Sequence, residues 1–514
     1  MIKNKLLVSC LTLTLILGQG CKDLLTEESL DASTTNNFFV SIESLDLALT
    51  ATYRQLIDNA WNRSLGAARH RTIFCGADDW TSQPGGNKGD FKEGDQLAIR
   101  SSNVNISAAG WEMPYDVILQ ANFSILGQKE LIERGQDPAV VDVLAAEAYF
   151  LRAWAYFRLV RLFGDVPIIL NAESTPADFE KARNPSIEVY GQILSDLEVA
   201  INDLPDNQIE RARVNKWAAK ALRANVYLTM ASWPLNLTEH YPNALLDAQD
   251  VLTGPYMFEE EFAPMFLLEN EDTNTEYIWQ LKFCNDTSCP QLGAITPFAS
   301  QTTKPAELGG FQDLFIEKAF FNKFPAGARK DHTFLTQLLY EDGTVLPWQQ
   351  FIWQHPFMSK FYDGGVDKNK PVEQQRGTTA PSSELDYPMI RITEMMLIYA
   401  EANSMGGGGD AATALQYLNM VKRRGKGVNI NNPDPDDLSS FTRQDVIDER
   451  GWEFVGEMKR WFDLIRTETL ASALADRDAD ELPLIGDPSN KNLYLHPLPD
   501  LDLQINSLLT QNPR

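Results

Sequence analysis

Apolar side chains recur every three or four residues along most of this chain, which is the period of an amphipathic α-helix. In the first clear case, which begins at Ser41, Leu45, Leu49, Tyr53 and Leu56 follow one another at that spacing. The pattern predicts helices at about 41–61, 111–134, 138–163, 186–203, 212–232, 241–253, 388–405, 410–424 and 441–470.

The pattern changes between about residues 255 and 387. Proline, glycine, aromatic and polar residues mix there without a sustained period, apart from a short helical run near 311–321, and EYIWQLKF is typical of a short strand. A stretch of this length without a regular pattern is usually functional or forms an irregular subdomain. We therefore predict a mainly α-helical bundle formed by 41–254 and 388–514, with an irregular region at about 255–387.

The segment AEAYFLRAWAYFRLVRLFGDVP, at 146–167, is unusually rich in aromatic rings. On a helical wheel most of its alanines and rings share one broad arc, whereas Glu147, Arg158 and Arg161 lie opposite. This predicts an amphipathic helix with one buried face, ended by Gly164, so most of these rings are core rather than a ligand surface. Trp154 falls among the charged residues and is expected to cover a neighbouring helix or to lie in an interface.

The alanines suggest a repeat architecture. Ala146, Phe150 and Ala153 follow the A-x3-F-x2-A spacing of the second helix of a tetratricopeptide repeat. A second case is IYAEANSMGGGGDAATALQYL, where a glycine turn at 406–409 is followed by Asp410 as a helix cap. The fold class is therefore mainly α, with tetratricopeptide-like helix pairs stacked into a curved bundle.

The N-terminus has the pattern of an export signal. Lys3 and Lys5 precede an apolar run, Leu6 to Leu17, that is too short to span a bilayer. GQGCKD follows, so residues 1–20 are predicted to be a lipoprotein signal peptide, Cys21 the lipidated residue and 21–40 a tether. A plain cleaved signal with an incidental cysteine is the alternative.

Cys10 lies within the predicted signal peptide, and the cysteines that follow Cys21 are Cys75, Cys284 and Cys289. The last two lie in CNDTSC and are spaced to close a small disulfide loop in an oxidising compartment, but they make a poor zinc site. Cys75 is expected to be a small buried residue.

Charge and missing motifs exclude several classes of function. The formal net charge is -26, and a body this acidic repels phosphate backbones, which argues against nucleic acid as a partner. The sequence lacks G-x-S-x-G, H-E-x-x-H and a Walker P-loop, and its five histidines are scattered. We expect no catalytic residues, cofactor or metal, although a glycosidase built from distant carboxylates remains an alternative.

The segment DVIDERGWEFVGEMKRWFDLIR is the densest charged and aromatic stretch. Glu449, Glu453 and Glu457 recur at i, i+4, and Asp463 is spaced to pair with both Arg460 and Arg466. We interpret it as an ion-paired structural helix beside Trp452 and Trp461.

That helix, with segments ordered along nearly the whole chain, resembles the SusD/RagB family of the Bacteroidetes outer membrane. The segments are NNFF at 36–39, AEAYFLRAWAYFRLVRLFGDVP, KWAAKALRANVYL at 216–228, YPMIRITEMMLIYAEA at 387–402, ERGWEFVGEMKRWFDLIR at 449–466 and LYLHPLPDLDLQINSLLTQNP at 493–513. The ending QNPR lacks the Gly-Tyr that often follows Gln-Asn-Pro in the family.

The resemblance implies a nutrient-binding lipoprotein that is anchored in the outer membrane and faces the cell exterior. Such a protein captures a glycan, or in RagB-type members a peptide, and passes it to a SusC-like TonB-dependent barrel. The fold it implies is a tetratricopeptide-like bundle with a loop-rich ligand face. A surface glycoside hydrolase and a repeat scaffold without a small ligand are the alternatives.

A glycan site needs exposed aromatic rings that stack on sugar faces, with polar side chains for the hydroxyl groups. The rings to suspect therefore lie in loops. CGADDWTSQPGGNKGD supplies Asp78, Asp79 and Trp80, and ITPFASQTTKPAELGGF supplies Phe298 and Phe311. LPWQQFIWQ adds Trp348 and Trp353. Trp80 is the first choice because two carboxylates adjoin it.

Overall fold

The computed structural model describes most of the chain. The described residues are 38–57, 73–85, 89–172, 180–207, 211–283, 305–308, 310, 312–362, 369–375 and 385–514. Cys21, Cys284, Cys289, Phe298 and Phe311 lie outside the described residues, so the anchor, the disulfide and two candidate ligand residues stay predictions.

The described α-helices, in chain order, are α1 Ile42–Ile57, α2 Gly89–Asp95, α3 Met113–Glu133, α4 Pro138–Phe163, α5 Ser186–Asp203, α6 Lys216–Met230, α7 Tyr241–Leu252, α8 Lys318–Lys323, α9 Ala328–Thr333, α10 Val372–Gln375, α11 Ile392–Ser404, α12 Ala411–Lys426, α13 Arg443–Glu453, α14 Arg460–Arg466, α15 Leu470–Ala473 and α16 Asp500–Ile505. A π-helix, Ile106–Glu112, leads into α3. The helical class is confirmed. The long predicted helices agree closely with these bounds except for 441–470, and the short run predicted near 311–321 is helical only from Lys318.

Local sequence explains several helix ends. Asp137 caps α4 by accepting a hydrogen bond from the backbone of Ala139, and Gly164 follows its last residue with a positive φ. Asp410 caps α12 in the same way after the predicted glycine turn. These residues therefore fix where α4 begins and ends and where α12 begins.

The long helices stack in order. Packing contacts join α1 to α3, α3 to α4, α4 to α5, α5 to α6, α6 to α7, α7 to α11 and α11 to α12. Each helix therefore packs mainly against its neighbours in the stack, as in tetratricopeptide-like proteins. Because α7 contacts α11 directly, residues 253–391 form an insertion between two consecutive layers.

From Ala145 onward, helix α4 is buried on almost every side, so the prediction of one buried face is wrong. Glu147 accepts hydrogen bonds from Tyr53 at 2.6 Å and Arg213 at 2.9 Å, and Arg152 donates to Asp196 at 2.7 and 2.9 Å. The reason is position in the stack: α3 and α5 cover two sides, and Trp279 from the insertion packs against the Phe150 and Trp154 rings. The rings of α4 are thus core, as expected.

Short strands lie in the insertion, and the first described strand of the chain lies outside it. The described strands are β1 Trp80–Ser82, β2 Tyr277–Leu281, β3 Leu314–Ile316, β4 Phe334–Leu335, β5 Gln337–Leu339, β6 Val345–Pro347, β7 Phe357–Met358 and β8 Tyr387–Arg391. They pair antiparallel as β1–β3, β2–β8, β4–β7 and β5–β6. The predicted strand in EYIWQLKF is confirmed as β2, whereas residues 388–391, predicted to be helical, belong to β8.

The β2–β8 ladder closes the base of the insertion, and a buried network of charges surrounds it. The network residues are Arg329, Lys360, Arg391, Arg424, Glu276, Glu449, Glu453 and Glu457, all almost fully buried. The insertion contributes three cations and one carboxylate, and helices α12 and α13 with the turn after α13 contribute the complementary set. Four cations therefore meet four carboxylates inside the protein.

Glu453 is the centre of this network. It accepts from Arg424 at 2.7 Å, from Arg391 at 2.9 Å and from Arg329 at 2.8 Å. Burial alone would raise the pKa of Glu453, but the surrounding guanidinium groups hold it well below its usual range. The carboxylate therefore stays ionised at neutral pH.

The predicted helix at 441–470 is broken, because α13 ends at Glu453 and α14 begins at Arg460. Gly456 at φ +81° and Met458 at φ +59° turn the chain between them. The turn lets Glu457 reach Arg391 at 2.8 Å and Lys360 at 2.6 Å. The predicted Asp463–Arg466 pair forms at 2.8 Å, whereas Arg460 pairs with Asp78 instead of Asp463.

Removing the charge at the centre of the network tests its importance. We expect Glu453→Gln to lower the free energy of unfolding by about 3–5 kcal/mol, because it leaves three buried cations without full compensation. Chemical denaturation measures the change. Asp448→Asn is the matched control, since its carboxylate lies on the same helix, accepts a hydrogen bond from Gln444 and is not part of the network. Equal losses in the two variants would contradict a central role for the network.

Candidate functional site

The insertion brings a loop from the start of the chain beside its own strands. β1 pairs with β3, and beyond the ladder the backbone of Gln83 donates to the carbonyl of Asp313 at 2.9 Å. On the other side of β3, the Ile316 backbone donates to the carbonyl of Pro356. Residues 83–85 and the segment before β7 are thus held at the same small sheet.

A second, smaller core lies under this surface, apart from the main one. Its buried members are Leu308, Phe315, Leu335, Leu338, Phe351, Phe357 and Val372. Phe315 lies near its centre, stacked on the His355 ring at 5.0 Å and edge-on to Phe357 at 5.5 Å. Trp348 and Trp353 pack against this core and are only partly buried.

The outer side of the small core is a mixed aromatic and amide surface. Between the two tryptophans, Ile352 is 74% exposed, and Gln349, Gln350 and Gln354 are exposed as well. We call residues 348–354 together with 83–85 the aromatic–amide face. Partly exposed rings and amides are the groups that stack on sugar rings and hydrogen-bond to their hydroxyl groups.

The two parts of this face touch. A Cβ atom placed on Gly85 would lie 3.4 Å from Cη2 of Trp353. The structure therefore brings together two of the three regions that the sequence singled out, although they are more than 260 positions apart. Gln354 adopts φ +52°, a conformation uncommon for a residue other than glycine, and such strained residues cluster at functional sites.

Buried polar contacts fix the face from below. Nε2 of His355 lies 2.9 and 3.0 Å from the two carboxylate oxygens of Glu481. Asp95 accepts from the backbone of Ser82 at 2.9 Å and from Arg477 at 2.6 Å. The segment 477–481 thus ties β1 to the loop that carries Trp353, which preorganises the face.

The first-choice residues are not part of this surface. Trp80 lies in β1 with only 2% exposure, so the prediction of an exposed loop ring is wrong. Asp78 is committed to Arg460 through two hydrogen bonds of 2.6 and 2.7 Å. Burial, with the nearby charge of Asp78, raises the pKa of Asp79 to about 8 although Arg460 opposes the shift. Trp80 packs in the main core and not in the small core under the face.

Sequence reasoning missed the residues around the two tryptophans. Ile352 and the three glutamines carry a readable signal, since LPWQQFIWQ fits neither the helical nor the strand period and so indicates a surface loop. The contact with Gly85 had no such signal, because it depends on β1–β3 pairing across the chain.

The described residues contain no cluster of three His, Cys, Asp or Glu placed to hold a metal ion. None of the described helices is both long and apolar enough to cross a membrane.

Replacing Trp80 tests its structural role. We expect Trp80→Ala to lower the free energy of unfolding by about 3–5 kcal/mol, because it opens a cavity in a packed core. Ile352→Ala, at an exposed position, should change it by no more than about 0.5 kcal/mol. Thermal or chemical denaturation distinguishes them, and a Trp80→Ala variant of unchanged stability would refute the burial of this ring.

Two family models match the chain. One, described as starch-binding associating with outer membrane, matches residues 82–228, and the other, described as the SusD family, matches residues 349–514. A curated relative, SusD-like protein P2 of Formosa agariphila, is 28% identical over 534 residues, covering 99% of both chains.

Solved structures share the fold. A SusD superfamily protein of Bacteroides vulgatus superposes with a TM-score of 0.75 at 20% identity, covering 92% of this chain and 99% of its own. Surface glycan-binding protein A of Bacteroides thetaiotaomicron, solved in complex with laminarihexaose, gives a TM-score of 0.71 at 19% identity, covering 91% and 99%. The two matched segments span more than half of the sequence, and with the relative of equal length they show that the chain belongs to the SusD/RagB family.

Proposed function

We propose that the protein captures a glycan at the cell surface on its aromatic–amide face and delivers it to a SusC-like TonB-dependent barrel. The observation that carries the binding half is the pair of partly exposed tryptophans, Trp348 and Trp353, among exposed amides. Delivery rests on family membership. A capture protein needs a rigid recognition surface, which the buried contacts of His355 and Asp95 supply.

A glucan is the first ligand to test. One structural neighbour was solved with laminarihexaose, a member of that class. Stacking on tryptophan and hydrogen bonding to glutamine suit neutral sugars, which carry no charge to be paired. A peptide ligand of the RagB type is the alternative, and a panel that contains both classes distinguishes them.

The candidate function from another class is a glycoside hydrolase. The carboxylate pair of Glu317 and Glu481 is the feature that suggests it. Burial and the neighbouring Glu481 raise the pKa of Glu317 to about 7. Burial also acts to raise the pKa of Glu481, but the hydrogen bond and charge of His355, together with hydrogen bonds from the Lys318 backbone and Thr81, outweigh it and lower that pKa. Glu317, however, caps α8 by accepting from the backbones of Ala319 and Phe320, and both oxygens of Glu481 face His355. We therefore assign the pair a structural role. New reducing ends after incubation with glycans would favour the hydrolase.

The key test of binding is Trp353→Ala. We expect affinity for the tightest-binding glycan of the panel to fall at least about tenfold, because a central aromatic contact carries much of the binding free energy. Stability should fall by about 1 kcal/mol or less, since the ring is only partly buried. Isothermal titration calorimetry and denaturation measure the two effects.

Trp217→Ala is the matched control, because this tryptophan is also partly buried but belongs to α6 in the helical stack. It should keep full affinity. Unchanged affinity in a folded Trp353→Ala variant would remove the face from the proposal. Failure of the unaltered protein to bind any member of the panel would remove glycan capture itself.

Anchoring and partnership are tested together in the native cell. We expect the protein to fractionate with the outer membrane and to co-purify in mild detergent with a TonB-dependent barrel. Cys21→Ala should release it from the membrane, because it removes the acyl chains that hold it there. A membrane-bound Cys21→Ala protein of unchanged mass would refute the anchor, and repeated purification without a barrel would refute the partnership.

A further inference from the structure

A partly open cavity of about 80 Å³, lined by both charged and apolar side chains, lies where α4 and α6 meet the β2–β8 ladder and α14. Its cationic lining residues are Arg158, Arg161, Arg450, Arg466 and Lys459. Only three carboxylates line it, those of Glu394, Glu457 and Asp463. The lining therefore has more cations than carboxylates, although the whole chain is strongly acidic. Arg466 also pairs with Glu401, which lies outside the lining, so the surplus positive charge rests on Arg158 and Arg161.

The three carboxylates are already engaged. Glu394 accepts from Asn225, Arg450 and Lys459 at 3.1, 3.3 and 2.8 Å. Asp463 accepts from Arg450 and Arg466, both at 2.8 Å. Glu457 is taken by Arg391 and Lys360, neither of which lines the cavity.

Two buried hydrogen-bond donors of the cavity lining have no acceptor in the described part of the chain. Among the described residues, Nη1 of Arg450 and Nε1 of Trp279 are buried and have no hydrogen-bond partner. Arg161 lies between the rings of Phe157 and Phe462, 3.8 and 3.9 Å from their centroids. It has no carboxylate within 4.0 Å in the described part of the chain, and its Nε donates only to the Phe157 carbonyl.

Such an arrangement needs an acceptor that also carries negative charge. A buried donor without a partner destabilises the folded state, and an uncompensated buried charge destabilises it more. Water supplies an acceptor but no charge. Burial and, to a smaller extent, the neighbouring Arg161 lower the pKa of Arg158 to about 9. The volume is well below the roughly 300 Å³ at which organic ligand pockets begin.

We propose that this cavity binds a small inorganic anion of the halide class, held by Arg161, Arg450 and Trp279. Such an ion would join α4, the β2–β8 ladder and α13 through one shared partner. The site is separate from the aromatic–amide face and does not depend on glycan binding.

Crystallography in bromide tests the site on the unaltered protein. Crystals grown or soaked in sodium bromide should show an anomalous peak in the cavity, in contact with the Arg161 and Arg450 guanidinium groups. Density for water only, with no anomalous signal at this place, would overturn the proposal even if a variant failed to fold.

A thermal-shift titration gives the second measurement. At constant ionic strength, replacing gluconate, which is too large for the cavity, by chloride should raise the Tm in a saturable way, because the anion binds only the folded protein. Arg161→Met keeps an aliphatic chain between the two rings and should lose this rise. Arg134→Met, at an exposed helix end, should keep it. The same chloride response in all three proteins would count against the site.

Discussion

The buried charge network at the base of the insertion is the constraint on which the rest of the structure depends. The insertion alone would bury Arg329, Lys360 and Arg391 with a single carboxylate, and the helices alone would bury three glutamates with one arginine. Neither part satisfies its charges without the other. An unpaired charge costs far more free energy in the interior than at the surface. The insertion therefore packs on the helical stack in the one position that pairs all of these charges. The turn at Gly456 contributes to this pairing, because it directs the Glu457 carboxylate towards Arg391 and Lys360.

The position of the insertion on the stack determines where the aromatic–amide face lies. The β2–β8 ladder fixes the ends of the insertion, the small core around Phe315 gives its outer part a shape, and the contacts of His355 and Asp95 join it to the C-terminal segment. Regular helices would not present two tryptophans and several amides on one edge so readily. The division of labour is therefore physical: the stack supplies rigidity, and the irregular region supplies recognition. Membership of the SusD/RagB family fits this division, and glycan capture is the function we propose for it.

The sequence predicted what depends on local periodicity and on caps. The long helices, the glycine turn before Asp410 and the strand in EYIWQLKF all follow from patterns within about twenty residues. It could not predict what depends on distant partners. Helix α4 reads as amphipathic, but a third element, carrying Trp279, covers its charged side. Trp80 reads as a loop residue because its strand has only three residues and pairs with β3 far along the chain. Arg460 finds Asp78 rather than its neighbour Asp463 for the same reason.

Hydrogen exchange of the protein saturated with its tightest-binding glycan tests the central claim most directly, because it reports on every backbone segment at once. The claim is that a face built on the insertion, and not the helical stack, receives the ligand. It predicts slower exchange in residues 83–85 and 345–356 on binding, with the amides of α3 to α6 unchanged. Protection confined to the stacked helices, with none in these two segments, would contradict it.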